Sequence, residues 1–406
     1  MKRTSLNISK RAREAQFSPI RKFVPLLEQA KSKGLEVFEL HIGQPDLPTP
    51  KEILNEIKSF KGKILSYTNS LGILETRKAW QKYYKDCGIN FDVSEIIVTT
   101  GGSEAILFAF SAICDVNEEI IVFEPFYTNY NGYASISGVR LVPITTNIKD
   151  GFHLPSIKEI LQKITKKTKG ILICNPNNPT GTVYTKEELE MIAKIAKEKN
   201  LFVLADETYR EFVYDNKKYH SMMEFKEIQD RVILLDSVSK RFSACGVRIG
   251  ALASKNKAVI ESATKFAQAR LSSPMLEQLG VIPILKNSKK YTQNIVKEYK
   301  ERRDVVLKEL QKIPQVLFRK PSGAFYITIK LPIQNSDDFA QWLLTEFSFE
   351  GKTVMVAPAS GFYATKGFGK DEVRIAFVLF SEKLREAMRI FKIALKEYQN
   401  LERVFR

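Results

Sequence analysis

Short apolar runs alternate with amphipathic helical patterns through the middle of the chain, and this alternation constrains the fold most. "EIIVTT", "EEIIVFEP", "GVRLVPI", "KGILICNP", "LFVLADE", "RVILLDS" and "VRIGALAS" each hold a few consecutive apolar residues and end in polar ones. Between them lie stretches such as "TKEELEMIAKIAKEKN", apolar at helical spacing. Strands apolar on both faces need cover on both faces. With helices between them, they predict an α/β fold: a mostly parallel sheet sandwiched by helices. The last third reads differently. Long charged helices near 288–312 and 382–398 flank "GAFYITIK", "TVMVAP" and "EVRIAFVL". That pattern predicts a smaller α+β domain, and a helix near 19–33 is expected to pack with it. The expected division is 44–288 for a large domain and 1–43 plus 289–406 for a small one.

Composition narrows the class. The chain has 406 residues, 44% hydrophobic and 27% charged, which suits a globular protein with a large core. No apolar run is long enough for a bilayer, and the basic start "MKRTSLNISKRAREAQF" lacks the apolar stretch of a secretory signal. Cys87, Cys114, Cys174 and Cys245 are far apart, in or beside apolar stretches, and are expected to be reduced, mostly core residues. These features predict a cytoplasmic protein without a membrane partner. His41, His153 and His220 are isolated and no CxxC occurs, so no metal site is expected. The net charge of +17 raises nucleic-acid binding. Lys and Arg, however, are interspersed with Glu along helical segments, which reads as solvated surface. Capture of anionic substrates is a milder use of the same charge.

In a parallel sheet, ligands bind beyond the carboxyl ends of the strands. There the sequence places Gly101-Gly102-Ser103 opening a helix, "NPNNPTG" with Asn178, then Asp206 and Tyr209. The run Val232–Leu235 leads into Asp236, Ser237, Val238, Ser239 and Lys240, and Arg248 follows eight residues later. Each feature alone has a plainer reading: a helix cap, a packed tyrosine, a solvated loop lysine. Together they suit pyridoxal 5′-phosphate. A helix N-terminus at Gly102 and Ser103, with Ser237, Ser239 and Arg248, suits a phosphate. Lys240 supplies the amine for a Schiff base, and Asp206 a carboxylate for the pyridine nitrogen. Asn178 and Tyr209 would hydrogen-bond the ring oxygen. GxGxxG is absent, and "KGFGKD" lacks the Ser or Thr of a P-loop.

"YTNSLGILETR", "EPFYTNY", "NPNNPTG", "ADETY", "SVSKRFSACGVRIG" and "EVRIAF" occur in this order. From about residue 20 onward the chain resembles the class I aminotransferases of the aspartate aminotransferase family, fold type I. The resemblance implies that Lys240 holds the cofactor and that Arg248 meets its phosphate. It implies that Tyr127 stacks on the pyridine ring and that Tyr67 reaches the phosphate of a neighbouring subunit, hence a homodimer. Arg374 would clamp the substrate α-carboxylate, with Asn178 and Gly43 against the substrate. The implied activity is transfer of an amino group from an amino acid to a 2-oxo acid.

One departure bears on substrate. Where the dicarboxylate-specific branch can carry an arginine, this chain reads "KFAQARLSSP", which puts Gln268 there and Arg270 nearby. Arg21 in "FSPIRKF", expected in the first turn of a helix begun by Pro19, is the better candidate for a distal carboxylate, and Arg270 the second. Acidic donors such as aspartate or glutamate, with 2-oxoglutarate as acceptor, are therefore expected. Aromatic or small neutral donors are the alternative. A lyase on the same fold, or the effector domain of a regulator, are further alternatives.

Overall fold

A computed structural model describes residues 7–404. At its centre is a seven-stranded sheet, whose strands are β1 (Ile96–Thr99), β2 (Glu119–Glu124), β3 (Arg140–Thr145), β4 (Thr168–Cys174), β5 (Phe202–Asp206), β6 (Val232–Ser237) and β7 (Gly250–Ala253). Their spatial order is β1-β7-β6-β5-β4-β2-β3. Only β7 runs antiparallel to its neighbours.

The apolar runs form strands because both sheet faces are covered. Successive side chains point to opposite faces. Ile121 and Phe123 join a core with Trp80, Leu189 and Ile192, whereas Ile120 and Val122 join a second core with Ile106, Phe110 and Ala263. Each Leu or Ile buried this way contributes about 1.5–3 kcal/mol in transfer free energy. The covering helices obey their sequences too. Lys186–Glu198 starts at a reciprocal capping box between Thr185 and Glu188, and buries Leu189, Ile192, Ala193 and Ala196 on one stripe.

The two chain ends meet in a separate core. Phe23, Leu27 and Phe38 pack there with Tyr299, Phe325, Phe339, Ile375 and Phe391. Strand Tyr326–Lys330 lies antiparallel between Glu372–Ala376 and Leu317–Phe318, while Glu36–Glu39 pairs parallel with Lys352–Met355. The long helices Ser288–Leu310 and Ser381–Val404 pack together beside these strands.

Two expectations need correction. The N-terminal helix is Val24–Ser32, not 19–33, and Arg21 sits in the turn before it. Pro25, not Pro19, occupies the helix start. Pro19 is used in packing: a Cβ on Gly361 would come within 2.2 Å of its ring. The cysteines are free, but only Cys174 is buried, and Cys87 is exposed. Among the described residues no helix is long and apolar enough to cross a membrane.

Candidate active site

β1, β5 and β6 deliver Thr99, Asp206 and Ser237 to one edge of the sheet. The reversed strand β7 begins at that edge, where Gly250 pairs with both Thr99 and Ser237. This explains the spacing of Lys240 and Arg248. The chain leaves β6, turns through Lys240 and returns through Arg248 to start β7 at the same place. Arg248 adopts a left-handed conformation (φ 57°). It donates to the carbonyls of Cys245 (2.9 Å) and Thr100 (3.4 Å). Its guanidinium would come within 2.3 Å of a Cβ on Gly101, whose φ of +73° favours glycine. Gly101 opens the helix Gly101–Ile113, whose first-turn N–H groups lack intrahelical acceptors. Beside it the Ser237 hydroxyl donates to that of Ser239 (2.8 Å). Amides, hydroxyls and a guanidinium thus form an anion-binding corner.

A cavity of about 570 Å³ opens from this corner. Gly102, Ser103, Ser237, Ser239 and Arg248 line it at one side; Asp206, Tyr209, Tyr127, Lys240 and Arg374 line it elsewhere. Asp206 is buried, and its carboxylate accepts from the Tyr130 hydroxyl (2.7 Å) and the Thr208 N–H (3.2 Å). Burial raises its pKa above the usual carboxylate range, against the pull of those donors. A cation brought against it would reverse that shift. Tyr127 packs edge-on against Tyr130, and its hydroxyl accepts from Asn129 (2.8 Å). The Tyr209 hydroxyl meets that of Tyr326 at 2.8 Å. Burial raises the Tyr209 pKa well above that of a free phenol, so it stays neutral.

The Lys240 amine donates to the Gly43 carbonyl (2.8 Å) and lies 3.6 Å from the Cys245 sulfur. Gly43 must be glycine because a Cβ would collide with the Tyr326 hydroxyl. Arg374 reaches the cavity from the chain-end core. It is buried, donates to Asn178 Oδ1 (3.0 Å) and to the His41 carbonyl, and lies over the rings of Tyr326 and Phe362. Its Nε is buried without a hydrogen-bond partner among the described residues. Burial of a charge in this way is costly unless an anion meets it.

Arg21 is exposed on the cavity wall, beside Ser18 and Ile20. Arg270 is not on that wall. It is tied to Glu104 (2.9 Å), Ser273 and the Ser70 carbonyl (2.9 Å), so it is removed as a candidate for a distal carboxylate. Gln268 is exposed on its helix. Tyr67 is 79% exposed and not on the wall. Sequence reasoning missed Tyr130, Tyr326 and the His41 carbonyl. Tyr130 stood in "EPFYTNY", three residues after Tyr127; Tyr326 read only as a strand residue. No group of three or more His, Cys, Asp or Glu side chains suited to a metal occurs among the described residues.

An anion-binding corner, a buried carboxylate and an amine in one cavity at this sheet edge describe a class: a fold type I enzyme working with pyridoxal 5′-phosphate. The comparisons agree. Residues 36–391 match the family described as aminotransferase class I and II. The aspartate aminotransferase of Pyrococcus horikoshii is 34% identical over 91% of this chain and 93% of its own length. Aromatic-amino-acid aminotransferase 2 of Thermococcus litoralis is 33% identical over 96% of this chain and 98% of its own. The solved structure of an alanine aminotransferase from Pyrococcus furiosus superposes with a TM-score of 0.88 at 32% identity, covering 96% of this chain and all of that one. The chain belongs to the class I and II aminotransferase family and is a pyridoxal-phosphate-dependent transaminase.

Proposed function

We propose that the enzyme moves an amino group from an acidic amino acid, aspartate or glutamate, to 2-oxoglutarate or a similar 2-oxo acid. The observation that carries the transaminase reading is Arg374, a buried guanidinium with an unpartnered Nε on the wall shared with Lys240; the choice of an acidic side chain rests on Arg21 of the same wall. A planar fork of this kind suits the α-carboxylate of either substrate.

The donor set fits the cofactor. Gly102, Ser103, Ser237, Ser239 and Arg248 would hold its phosphate, Asp206 its pyridine nitrogen, Asn178 and Tyr209 its ring oxygen, and Tyr127 would flank the ring. When bound, the cofactor supplies an aldehyde for the amino group and an electron sink for the charge left on Cα. The protein's part is binding and proton transfer. Arg374 and Asn178 fix the carboxylate, with Gly43 close against the substrate. Lys240 holds the cofactor at rest. Its amine, once free, would move the proton between substrate Cα and cofactor C4′ as general base and acid. The same residues would serve both half-reactions of a ping-pong cycle, the donor's and that of the accepting 2-oxo acid. Tyr209 and Asp206 remain in place throughout, the first as a neutral donor and the second as an anion.

Residues 44–288 would form the cofactor-binding domain, with 1–43 and 289–406 closing over it. Exposed Tyr67, with exposed Ile64 and Leu65 nearby, is proposed to lie at a homodimer interface and reach the partner's phosphate site.

Arg21 is assigned to the distal carboxylate of acidic substrates, as the remaining arginine candidate on the cavity wall. Arg21→Ala should lower kcat/KM for aspartate and glutamate by about 2–4 kcal/mol, as for loss of a desolvated charge pair, with little change for alanine. A screen of acidic, aromatic and neutral donors against 2-oxoglutarate, pyruvate and oxaloacetate decides the matter. Equal losses for acidic and neutral donors would assign Arg21 to closure of the cavity. No turnover of any acidic substrate would end the reading. Ile20, Ile106, Tyr127 and Tyr326 on the same wall favour one competitor, a neutral or aromatic donor, which the screen detects directly.

A further inference from the structure

A second cavity, of about 330 Å³, lies behind the loop that carries Asn178. Its walls come from three separate stretches: 149–153, Lys217 and 319–322. Thr180 and Thr182, both buried, complete it. Asn178 of the same loop lines the active-site cavity. The loop therefore separates the two cavities, presenting Asn178 to one and its threonines to the other.

The charge is one-sided. Lys149, Lys217, Arg319 and Lys320 face a single lining carboxylate, Asp150. Lys320 is paired with Asp215 (2.8 Å), but Lys149, Lys217 and Arg319 make no ion pair among the described residues. His153, also on the wall, is engaged by Glu188 at 2.9 Å. Cations gathered around a concavity repel one another, and the potential is focused there.

The walls are also pinned to each other. Arg319 donates through Nε (2.9 Å) and Nη2 (2.7 Å) to the Lys149 carbonyl. The Thr182 hydroxyl donates to the Gly151 carbonyl (2.7 Å). Ser322 and Gly323 N–H groups donate to the Gly181 carbonyl. Gly181 has φ +73°, and a Cβ there would strike Pro321 at 2.4 Å, so the loop and the 319–322 wall are fitted closely. The walls and Arg319 are thus held in place, while the Lys149 and Lys217 side chains are exposed at the rim. A wall already in place loses less on binding than one assembled by the ligand.

We propose that this cavity binds a small, multiply charged anion, of the phosphate-ester or polycarboxylate kind, at a site separate from the catalytic one. A volume of about 330 Å³ suits a small metabolite. The shared chemistry is two or more oxyanions spaced to meet Lys149, Lys217 and Arg319.

The test is calorimetric titration of the cofactor-loaded enzyme with inorganic pyrophosphate at fixed ionic strength. Saturable binding at one site per chain is expected. Lys149→Gln with Lys217→Gln should weaken it at least tenfold, with an unchanged melting temperature. Arg374→Lys should leave it intact. Weakening by Arg374→Lys alone would place the anion in the catalytic cavity and overturn the proposal. So would the absence of saturable binding in the wild type, or equal binding by the double variant. Citrate in place of pyrophosphate distinguishes the two ligand kinds: tighter pyrophosphate binding assigns a phosphate ester, tighter citrate binding a polycarboxylate.

Discussion

Lys240 and Arg241 are consecutive, yet they serve opposite regions of the molecule. Lys240 lines the open cavity, where its amine meets one carbonyl and one sulfur. Arg241 turns into a closed network behind the sheet edge. It is completely buried, pairs with Asp236, places Nε 3.0 Å from Glu211, and lies over the Tyr83 ring. Arg210 extends the network to Glu207 (2.7 Å), Asp236 (3.2 Å) and the Tyr83 hydroxyl (2.8 Å). Ser221 donates to Glu207 at 2.7 Å. In the network, buried charges sit against opposite charges, although Arg241 Nε and Nη1 and Glu211 Oε2 make no hydrogen bond among the described residues. In the cavity, Lys240, Arg248 and Arg374 line space that a ligand can enter, with no carboxylate paired to them among the described residues. Buried charge alone therefore does not mark a site; a cation that lines an open cavity without a paired carboxylate does.

The comparison breaks if the two neighbours behave alike on removal. Lys240→Ala should lower turnover by roughly four orders of magnitude while the melting temperature stays within about 2 °C of wild type. Steady-state kinetics and a thermal melt on one preparation check both halves. Arg241→Met should do the reverse in kind. It leaves Glu211 without its cation and Asp236 with Arg210 alone, and breaking a buried pair costs about 3–5 kcal/mol. Urea unfolding measures that loss. Unchanged stability would show that water or rearrangement satisfies the two carboxylates.

A smaller effect sharpens the contrast on the Arg374 side. His41 is buried, and burial pushes its pKa down from 6.5 to about 4, with Arg374 adding to the fall and Glu39 opposing it. Between those values the unfolded chain binds a proton that the folded chain refuses. Stability is therefore full above about pH 6.5 and declines as pH falls towards 4, by up to ~3 kcal/mol. Urea midpoints measured at pH 7 and pH 4.5 should converge in His41→Gln relative to wild type. An identical pH slope in both proteins would remove His41 as the source.

Much of this was legible in the sequence, for physical reasons that differ by element. Apolar runs on a twice-covered sheet read clearly, because neither face tolerates polar residues. Strand ends then placed Asp206, Ser237 and Lys240 in one region without knowledge of tertiary contacts. The reversal of β7, which seats Arg248, was not visible from periodicity, since a buried strand looks the same in either direction. Pro19 and Pro25 illustrate another limit. Both suit a helix start, but Pro25 serves and Pro19 packs against distant Gly361, a contact that local sequence does not show. Tyr326 and the His41 carbonyl could not be found, because their partners Tyr209 and Arg374 lie more than a hundred residues away. Arg270 failed for a related reason: Glu104, at the start of another helix, claims its charge.

The central claim is that Lys240, and not its neighbour or another cavity group, holds the cofactor. Borohydride reduction of the loaded enzyme fixes the cofactor to whichever lysine carries it. Peptide mapping by mass spectrometry then identifies that residue. The account predicts the modification on Lys240 at close to one per chain, and its disappearance when an amino donor is added before reduction. Stoichiometric modification of any other lysine, with Lys240 unmodified, would contradict it.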